Sequence, residues 1–484
     1  MRRNLVISFM QKHVQMLIGI ASVITLSRLI SPEETGVFSV GVAITAITHA
    51  LRDFGVGNFL VKEAEMTSEK ANTAFTVSLL IAVSLSVILL VISGPLGSYY
   101  ANPEITTIIY ITTLGLLISP FSTVSLALML RDQRFIDMFK VSVAGSVANA
   151  VVAIFLAWIG MGAKALALGA LVSSIAIVLV ANLLWRDLGI YRLSLVCWRR
   201  ITQFGLHMTA FGVAEQLGQR ASDLIVGKVL GFSSVGLLSR SGTLTSMVQE
   251  SVLSSAMPVV LTSMAGDQRK SGDVSQLLLR SIEYFSVITW PLFAVLSIFA
   301  HDAVLVLFGQ KWLEAAPYTS MLCYGACFAA LSSLVGTTCN ATGRVDLLSR
   351  YGIIAQGIRV AMVAAGAMTG SLQTVVLFLV ATEAIQCALA YFFVRRTTSI
   401  TIGQVIQRSW KSLAVTGIVV SAMIPIDVLV NYHAIIRLAI VAVTATMTWI
   451  AAIFLVRHPI STEFILMTTM LTGRFRTLMF SRKI

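Results

Sequence analysis

The sequence contains about fourteen apolar stretches of roughly 20 residues, and this repetition limits its possible folds more than any other feature. A helix of that length spans the ~30 Å hydrocarbon layer of a bilayer, because each residue adds about 1.5 Å. Of the 484 residues, 57% are hydrophobic and 12% are charged, whereas about a quarter of a soluble domain is charged. We therefore predict an all-α integral membrane protein with about 14 transmembrane helices.

Short polar connections separate the predicted spans. The spans lie at 9–30, 37–60, 73–99, 105–130, 139–160, 163–185, 205–230, 235–262, 280–300, 316–340, 350–370, 372–394, 410–430 and 434–456. At roughly 20 residues each, fourteen spans leave about 200 residues, or about 14 for each end or connection, which excludes a soluble catalytic or nucleotide-binding domain. A count of twelve is the alternative, because the break at 160–164 rests on one short step that contains Gly and Lys.

Lys and Arg are distributed unevenly between the two predicted sides. Of the 35 basic residues, 26 fall in one alternating set of ends and connections and only five fall in the other. Short connections rich in Lys and Arg stay in the cytoplasm, so we predict that both termini are cytoplasmic. The formal charge of +13 then reflects topology rather than binding of nucleic acid.

The chain is similar to itself at an offset of 200 residues. This offset places Arg28 on Lys228 and Gly36 on Gly236. In transporters, such repeats enclose a cavity that opens to one side at a time. The repeat predicts three parts: a six-helix lobe at 1–200, a second six-helix lobe at 201–400, and two additional helices with an interfacial cytoplasmic tail at 401–484.

Polar side chains form a stripe on the predicted seventh span. The stripe consists of Glu215, Gln216, Gln219, Arg220 and Asp223, which share one helix face at about 100° per residue. Lipid cannot satisfy such a face, so it contacts protein or water. It lines a cavity in one interpretation; in the other, the side chains pair with each other along the helix.

Other ionisable residues within the predicted spans are candidates because a charge there is costly to insert. Lys12 either faces a cavity or extends to the headgroups, and Arg52 either contacts substrate or pairs with Asp53. Arg359 and Glu383 lie on successive spans and either form an interhelical pair or have a functional role. Further candidates in the eighth span are Arg240 and Glu250.

The sequence lacks the motifs of several reaction classes. No Gly-rich loop is followed by Lys and Ser or Thr, so no nucleotide site of that type is encoded. No HExxH or paired CxxC spacing is present. We expect neither enzymatic activity, nor a cofactor, nor a metal site.

Two segments resemble the polysaccharide exporters of the multidrug/oligosaccharidyl-lipid/polysaccharide exporter superfamily. In the first, the matching residues are Ser27, Arg28, Leu29, Pro32, Glu34, Gly36, Phe38, Asp53, Gly55, Leu60 and Val61. In the second, they are Asp223, Gly227, Leu230, Gly231 and Gly236. The turn has Ile30 and Ser31 where the family often has Leu and Gly, which leaves the expected fold unchanged.

The resemblance implies a Wzx-type flippase of the bacterial inner membrane. Such a protein moves an undecaprenyl-pyrophosphate-linked oligosaccharide to the periplasmic leaflet for exopolysaccharide, capsule or O-antigen, alongside a polymerase and a chain-length regulator. We expect the pyrophosphate to need basic side chains in the cavity, and Arg220 is the favoured one. The other substrate-binding candidates are Arg52, Arg359, Lys12, Gln216 and Gln219. The ion-coupling candidates are Glu215, Asp223, Glu383 and Asp53.

Two other functions fit parts of the pattern. A drug or cation antiporter of the same superfamily is one alternative, although it favours twelve spans and acidic cavities. A membrane polysaccharide polymerase or ligase is the other, although it needs a larger outer loop than the connection at 300–316.

Overall fold

The computed structural model describes residues 2–463, apart from 54, 64, 272 and 430–432. The description does not include the helical side chains of residues 2–9, 50, 53, 58, 188, 200, 203–211, 214, 254–256, 258–259, 270–271, 345 and 429. Two predicted features therefore lie outside the described residues: the side chain of Asp53 and nearly all of the interfacial tail, beyond residue 463.

The described residues form seventeen α-helices and two short 3₁₀ helices, with no strand. The α-helices are α1 Arg2–Leu29, α2 Pro32–Asp53, α3 Val56–Lys62, α4 Ser68–Tyr99, α5 Pro103–Ile118, α6 Pro120–Arg131, α7 Phe135–Trp158, α8 Ala163–Leu184, α9 Trp198–Val229, α10 Phe232–Ser271, α11 Ser275–Ile298, α12 Ala300–Leu307, α13 Ala316–Ala341, α14 Val345–Ala367, α15 Leu372–Val394, α16 Ile402–Leu429 and α17 Ala434–Leu455. The 3₁₀ helices are Leu188–Tyr191 and Gln310–Ala315.

Local capping explains where α2 begins. The Glu34 carboxylate accepts hydrogen bonds from the Ser31 backbone N–H at 2.7 Å and from its hydroxyl at 2.8 Å. The Ser31 Oγ in turn accepts from the Glu34 N–H at 3.2 Å, which completes a capping box. Pro32 occupies the first helical position, where its missing N–H costs no hydrogen bond. Glu34, which is part of the segment that resembles the polysaccharide exporters, therefore caps α2.

Two of the predicted spans are broken rather than continuous. The span predicted at 37–60 divides between α2 and α3, where Gly55 adopts a left-handed conformation with φ 63°. The span predicted at 105–130 bends by 47° between α5 and α6. Pro120 begins α6, and its ring is incompatible with an uninterrupted helix at that point.

Eight helical segments within the described residues are long and apolar enough to cross a membrane, or nine if the bent α5–α6 pair counts as one span. They are Ser68–Tyr99, Phe135–Trp158, Ala163–Leu184, Ser275–Ile298, Gln310–Ala341, Leu372–Val394, Ile402–Val428 and Ala434–Leu455. The prediction of an all-helical, multi-pass protein is confirmed. The number of 14 spans stays a prediction, because α1, α2, α9, α10 and α14 are not among these segments.

The chain groups into two compact units. Unit 1 comprises Met1–Arg240, Leu307–Ala315 and Gly352–Phe378, and unit 2 comprises Ser241–Val306, Ala316–Tyr351 and Leu379–Ile484. In unit 1, α7 packs along α1 and α8, and α2 packs along α5 and α9. In unit 2, α11 packs along α13 and α16. The division at 200 and 400 rests on the repeat and stays a prediction.

Candidate functional site

A polar cavity of about 340 Å³ lies within unit 1, among α1, α2, α7, α8 and α10. Its polar lining consists of Gln15, Ser22, Thr35, Ser39, Ser146, Asn149, Ser239 and Arg240. Among the described residues that line it, none is acidic. The cavity therefore offers one positive charge together with hydroxyl and amide groups.

Arg240 is the cation of this cavity, and its side chain is 8% exposed. No carboxylate in the described part of the chain lies within ion-pair distance, and its Nε atom has no hydrogen-bond partner there. The guanidinium carbon instead lies 5.2 Å from the ring centroid of Trp312 and 5.9 Å from that of Phe308. Cation–π contact offsets only part of the cost of burying a charge, so the arginine is suited to bind an anion.

Trp312 holds this arrangement in place from the 3₁₀ helix Gln310–Ala315. The side chain is fully buried, and its Nε1–H donates to the Ser27 carbonyl oxygen at 2.7 Å. That carbonyl belongs to the last turn of α1, where no further helical N–H is available to pair with it. One indole ring therefore closes the end of α1 and supports the guanidinium of Arg240.

A second buried polar group faces the same cavity. The Thr35 side chain is 3% exposed, and its Oγ1 has no hydrogen-bond partner among the described residues. Most buried hydroxyl groups are hydrogen-bonded, so an unpaired hydroxyl in the same cavity as a buried cation indicates a ligand site. A ligand that combines an anionic group with hydroxyls would satisfy both.

The stripe predicted on the seventh span is present on α9, and most of its members pair along the helix. Arg220 Nη1 lies 3.7 Å from Asp223 Oδ2, and Gln219 Nε2 donates to Glu215 Oε1 at 3.2 Å. Gln216 is half-buried, and its Oε1 has no hydrogen-bond partner in the described chain. The pairing alternative accounts for these four side chains, and the favoured arginine is compensated by its own helix.

A glycine brings α14 close to this stripe. A Cβ atom at Gly218 would lie 2.5 Å from Gln356 Cβ, so a larger residue at position 218 would require α14 to shift. Arg359 lies one turn further along α14 and is half-buried. The face of α9 that carries Gly218 is therefore in contact with α14.

The remaining predicted residues lie on other helices than α9. Lys12 is exposed on α1, and Arg52 is half-buried near the end of α2. Glu383 lies in unit 2 and packs against Gly325, where an added Cβ atom would be 3.4 Å from the Glu383 Cγ. The Arg359–Glu383 pair stays a prediction. Of the candidates, Arg240 is among the described residues that line the polar cavity, whereas none of the favoured substrate-binding and ion-coupling residues is among them.

Unit 2 contains an apolar groove of about 480 Å³. One wall is a face of α17, formed by Leu438, Val441, Ala442, Ala445, Thr446 and Trp449. This face is about 16 Å long, taking ~1.5 Å per residue. Arg437 lies next to it in sequence, donates from Nε to the buried Asp302 carboxylate and stacks over Phe299, which lines the groove. The groove is suited to a hydrocarbon chain rather than to a polar ligand.

The overall architecture is that of multi-pass membrane transporters. The structure matches that of the lipid II flippase MurJ in an inward closed conformation, with a TM-score of 0.76, 12% identity and coverage of 93% of this chain and 98% of that one. It also matches an inward-facing multidrug transporter of the MATE family, with a TM-score of 0.57, 17% identity and coverage of 79% and 94%. At these identities, the likeness establishes the fold alone.

A match to a family model over more than half of the chain identifies the family, and sequence relatives agree with it. The lipopolysaccharide biosynthesis protein WzxC of Escherichia coli (strain K12) is 22% identical over 380 residues, 78% of this chain and 77% of the relative. The succinoglycan biosynthesis transport protein ExoT of Rhizobium meliloti (strain 1021) is 25% identical over 376 residues, 74% and 73% of the two chains. Residues 25–317 match the family described as "Polysaccharide biosynthesis protein", and the chain belongs to that family.

The resemblance to polysaccharide exporters is thereby confirmed. The relatives and structural neighbours place the chain among membrane transporters of polysaccharide biosynthesis rather than among enzymes.

Proposed function

We propose that this protein flips an undecaprenyl-pyrophosphate-linked oligosaccharide from the cytoplasmic to the periplasmic leaflet of the bacterial inner membrane, with both of its termini in the cytoplasm. The product would enter exopolysaccharide, capsule or O-antigen synthesis. The observation that carries the proposal is the buried Arg240, which has no acidic partner in the described chain and lines a polar cavity. The relatives named for lipopolysaccharide and succinoglycan synthesis support a polysaccharide substrate.

The chemistry of the cavity fits the polar end of such a lipid. A pyrophosphate carries about two negative charges and cannot enter hydrocarbon without compensation. Arg240 supplies a fixed guanidinium with donors suited to phosphate oxygens. Thr35, Gln15 and Asn149 supply groups that hydrogen-bond to sugar hydroxyls. Arg220, Arg52, Arg359, Lys12, Gln216 and Gln219 remain proposed contacts elsewhere on the transport path.

The groove of unit 2 supports a lipid-linked cargo. Its apolar lining would keep an isoprenoid chain out of contact with water and polar groups. The sugar and pyrophosphate of the same lipid would need a polar environment instead.

We further propose alternating access as the transport cycle. The sequence contains no nucleotide-binding motif, so the cycle would draw on an ion gradient, the membrane potential or consumption of the product by a polymerase and its chain-length regulator. Glu215, Asp223, Glu383 and Asp53 are the proposed coupling carboxylates.

The deciding experiment compares two arginines of unit 1. Arg240 and Arg220 are each replaced by Ala and by Lys, and surface polysaccharide is measured in a strain that lacks the native gene. We expect Arg240→Ala to reduce export at least about tenfold, because a hydrogen bond to a charged group contributes about 1.5–3 kcal/mol. We expect Arg220→Lys to cost less, since Arg220 pairs with Asp223 on its own helix.

Normal export by well-expressed Arg240→Ala and Arg240→Lys would overturn the role of this cavity. The leaflet distribution of the lipid-linked intermediate tests the function itself. Accumulation in the inner leaflet of a deletion strain supports a flippase, whereas accumulation in the outer leaflet indicates a polymerase or ligase.

A further inference from the structure

The connection between α8 and α9 presents an apolar edge to its surroundings. We define this edge as Leu193, Leu195, Val196 and Trp198, all of which are exposed. The exposed fraction reaches 74% for Leu193 and 72% for Val196, which is high for large apolar side chains in a connection. Ser194 and Cys197, which alternate with these residues in the sequence, are partly buried and face the protein.

Hydrogen bonds to α4 fix the orientation of this edge. The Arg192 N–H donates to Asn72 Oδ1 at 3.3 Å, and the Ser194 N–H donates to Thr76 Oγ1 at 2.9 Å. Thr73 Oγ1 also donates to the Ser194 hydroxyl at 3.4 Å. Because the backbone of Arg192 and Ser194 is hydrogen-bonded to α4, the side chains of the alternate residues Leu193 and Leu195 face outward.

Preceding residues strengthen the attachment. The Tyr191 hydroxyl donates to the Phe121 carbonyl oxygen at 2.8 Å, and its ring packs against Phe75 with the centroids 5.0 Å apart. Ile190 is buried in the same apolar cluster. The apolar edge therefore extends from a connection with its own buried anchor.

The same contacts set the depth of the edge relative to the membrane. With 32 residues, α4 is about 48 Å long and exceeds the ~30 Å hydrocarbon layer. Its first turn carries Glu69 and Lys70, which belong at the level of the headgroups or beyond. Asn72 and Thr76 follow within two turns, so the connection attached to them lies near the boundary between headgroups and hydrocarbon.

Positive charge surrounds the edge. Residues 186–200 contain four Arg and one Asp, a net charge of +3. Arg192 and Arg199 are exposed, and the Arg199 guanidinium lies 5.7 Å from the ring centroid of Trp198. Apolar and aromatic side chains flanked by Arg are typical of segments that lie in the membrane interface. Phosphate groups of anionic lipids complement such arginines.

We propose that residues 192–199 form an interfacial anchor, in which the apolar edge inserts below the headgroups and Arg192 and Arg199 bind anionic lipid phosphates. This role is separate from the transported substrate. It predicts that the position of the connection in the membrane depends on the lipid charge.

Spin labelling tests the depth of the edge. A nitroxide is attached at Leu195→Cys in a chain whose five native cysteines are replaced by Ala, reconstituted in vesicles of phosphatidylethanolamine and phosphatidylglycerol. Glu65→Cys is the matched control, because Glu65 is an exposed polar residue just before the same end of α4. We expect the Leu195 label to collide more with oxygen than with a water-soluble nickel chelate, and the Glu65 label to show the reverse.

Two results would overturn the insertion. A Leu195 label as open to the nickel chelate as the Glu65 label would place the edge in water. Shielding from both reagents would place it against protein.

A second measurement tests the arginines. The depth of the Leu195 label is compared in the anionic vesicles and in vesicles of phosphatidylcholine alone. We expect a shallower label without anionic lipid, and we expect Arg192→Gln with Arg199→Gln to remove that difference. Arg395→Gln with Arg396→Gln is the matched control, since Arg396 likewise stacks on an aromatic ring, that of Phe392. A depth that is the same in both vesicles would overturn the phosphate contacts.

Discussion

Gly36 lies so close to the carbonyl oxygen of Phe232 that a Cβ atom at position 36 would come within 1.8 Å of it. The reverse contact is also present, because a Cβ atom at Gly236 would lie 1.9 Å from the carbonyl oxygen of Pro32. The positions involved are equivalent at an offset of 200 residues: Gly36 corresponds to Gly236 and Pro32 to Phe232, at the starts of α2 and α10. A two-fold repeat predicts such a reciprocal contact, and the absent side chains are what make it possible.

Larger residues at these two glycines should block transport. Gly36→Val or Gly236→Val forces the starts of α2 and α10 apart, at a cost of about 1–3 kcal/mol for overpacking. We expect surface polysaccharide to fall at least about tenfold in either variant. Gly242→Ala is the control on α10, because its Cβ would meet nothing within 4 Å. Equal export by Gly36→Val and Gly242→Ala would show that the contact is dispensable.

Helix positions were predictable because the length of an apolar run is a local property. The run predicted at 163–185 corresponds to Ala163–Leu184, for example. The breaks at Gly55 and Pro120 were not predicted, since hydropathy continues through both. Backbone conformation decides these positions, and it depends on single residues rather than on averages over a span.

The site was only partly predictable. The sequence identifies Arg240 as a cation within a span, but the density of polar residues on α9 favours Arg220 over it. The structure explains that density as pairing along the helix. Trp312 gave no signal, because its partner Ser27 is 285 positions away in the chain. Contacts of that range follow from tertiary packing and not from spacing.

Trp312 should be a positioning residue for Arg240. Trp312→Phe keeps an aromatic ring beside the guanidinium and loses the bond to Ser27, whereas Trp312→Leu loses both. We expect Trp312→Phe to retain most export and Trp312→Leu to lose it about tenfold. Thermal unfolding of the purified protein in detergent measures the effect of the lost hydrogen bond on stability, which is about 1 kcal/mol in both variants. The difference in export between the variants then measures the effect of the lost aromatic ring. Equal export by the two variants would argue against positioning through the ring.

The buried Glu283 of α11 predicts an asymmetric response to charge removal. Its side chain is 3% exposed, and the Oε2 atom lies 3.3 Å from Arg408 Nη1 of α16. Arg408→Gln leaves a buried carboxylate unpaired, and we expect a loss of up to about 3 kcal/mol, reduced by the partial exposure of the arginine. Adding Glu283→Gln should restore much of the loss. The melting temperatures of the two single variants and the double variant test this expectation. If the decrease in the double variant equals the sum of the two single decreases, Glu283 and Arg408 are not energetically coupled.

His458 should make the protein less stable in mild acid. The residue follows α17 and is fully buried, with its Nδ1 accepting from the Ile460 N–H at 3.2 Å and its Nε2 3.4 Å from Ser412 Oγ. Burial, together with the positive charge of Lys411, lowers the pKa of His458 from its ordinary 6.5 to about 4.

Between these two pH values the unfolded chain binds a proton at His458 that the folded chain does not. Stability contributed by the neutral imidazole is therefore complete above pH 6.5 and is lost as the pH falls toward 4. We expect the melting temperature in detergent to fall more between pH 7.5 and 5 for the native chain than for His458→Gln, which has no titrating group at this position. Equal decreases in the two proteins would mean that carboxylates elsewhere, and not this imidazole, set the acid sensitivity.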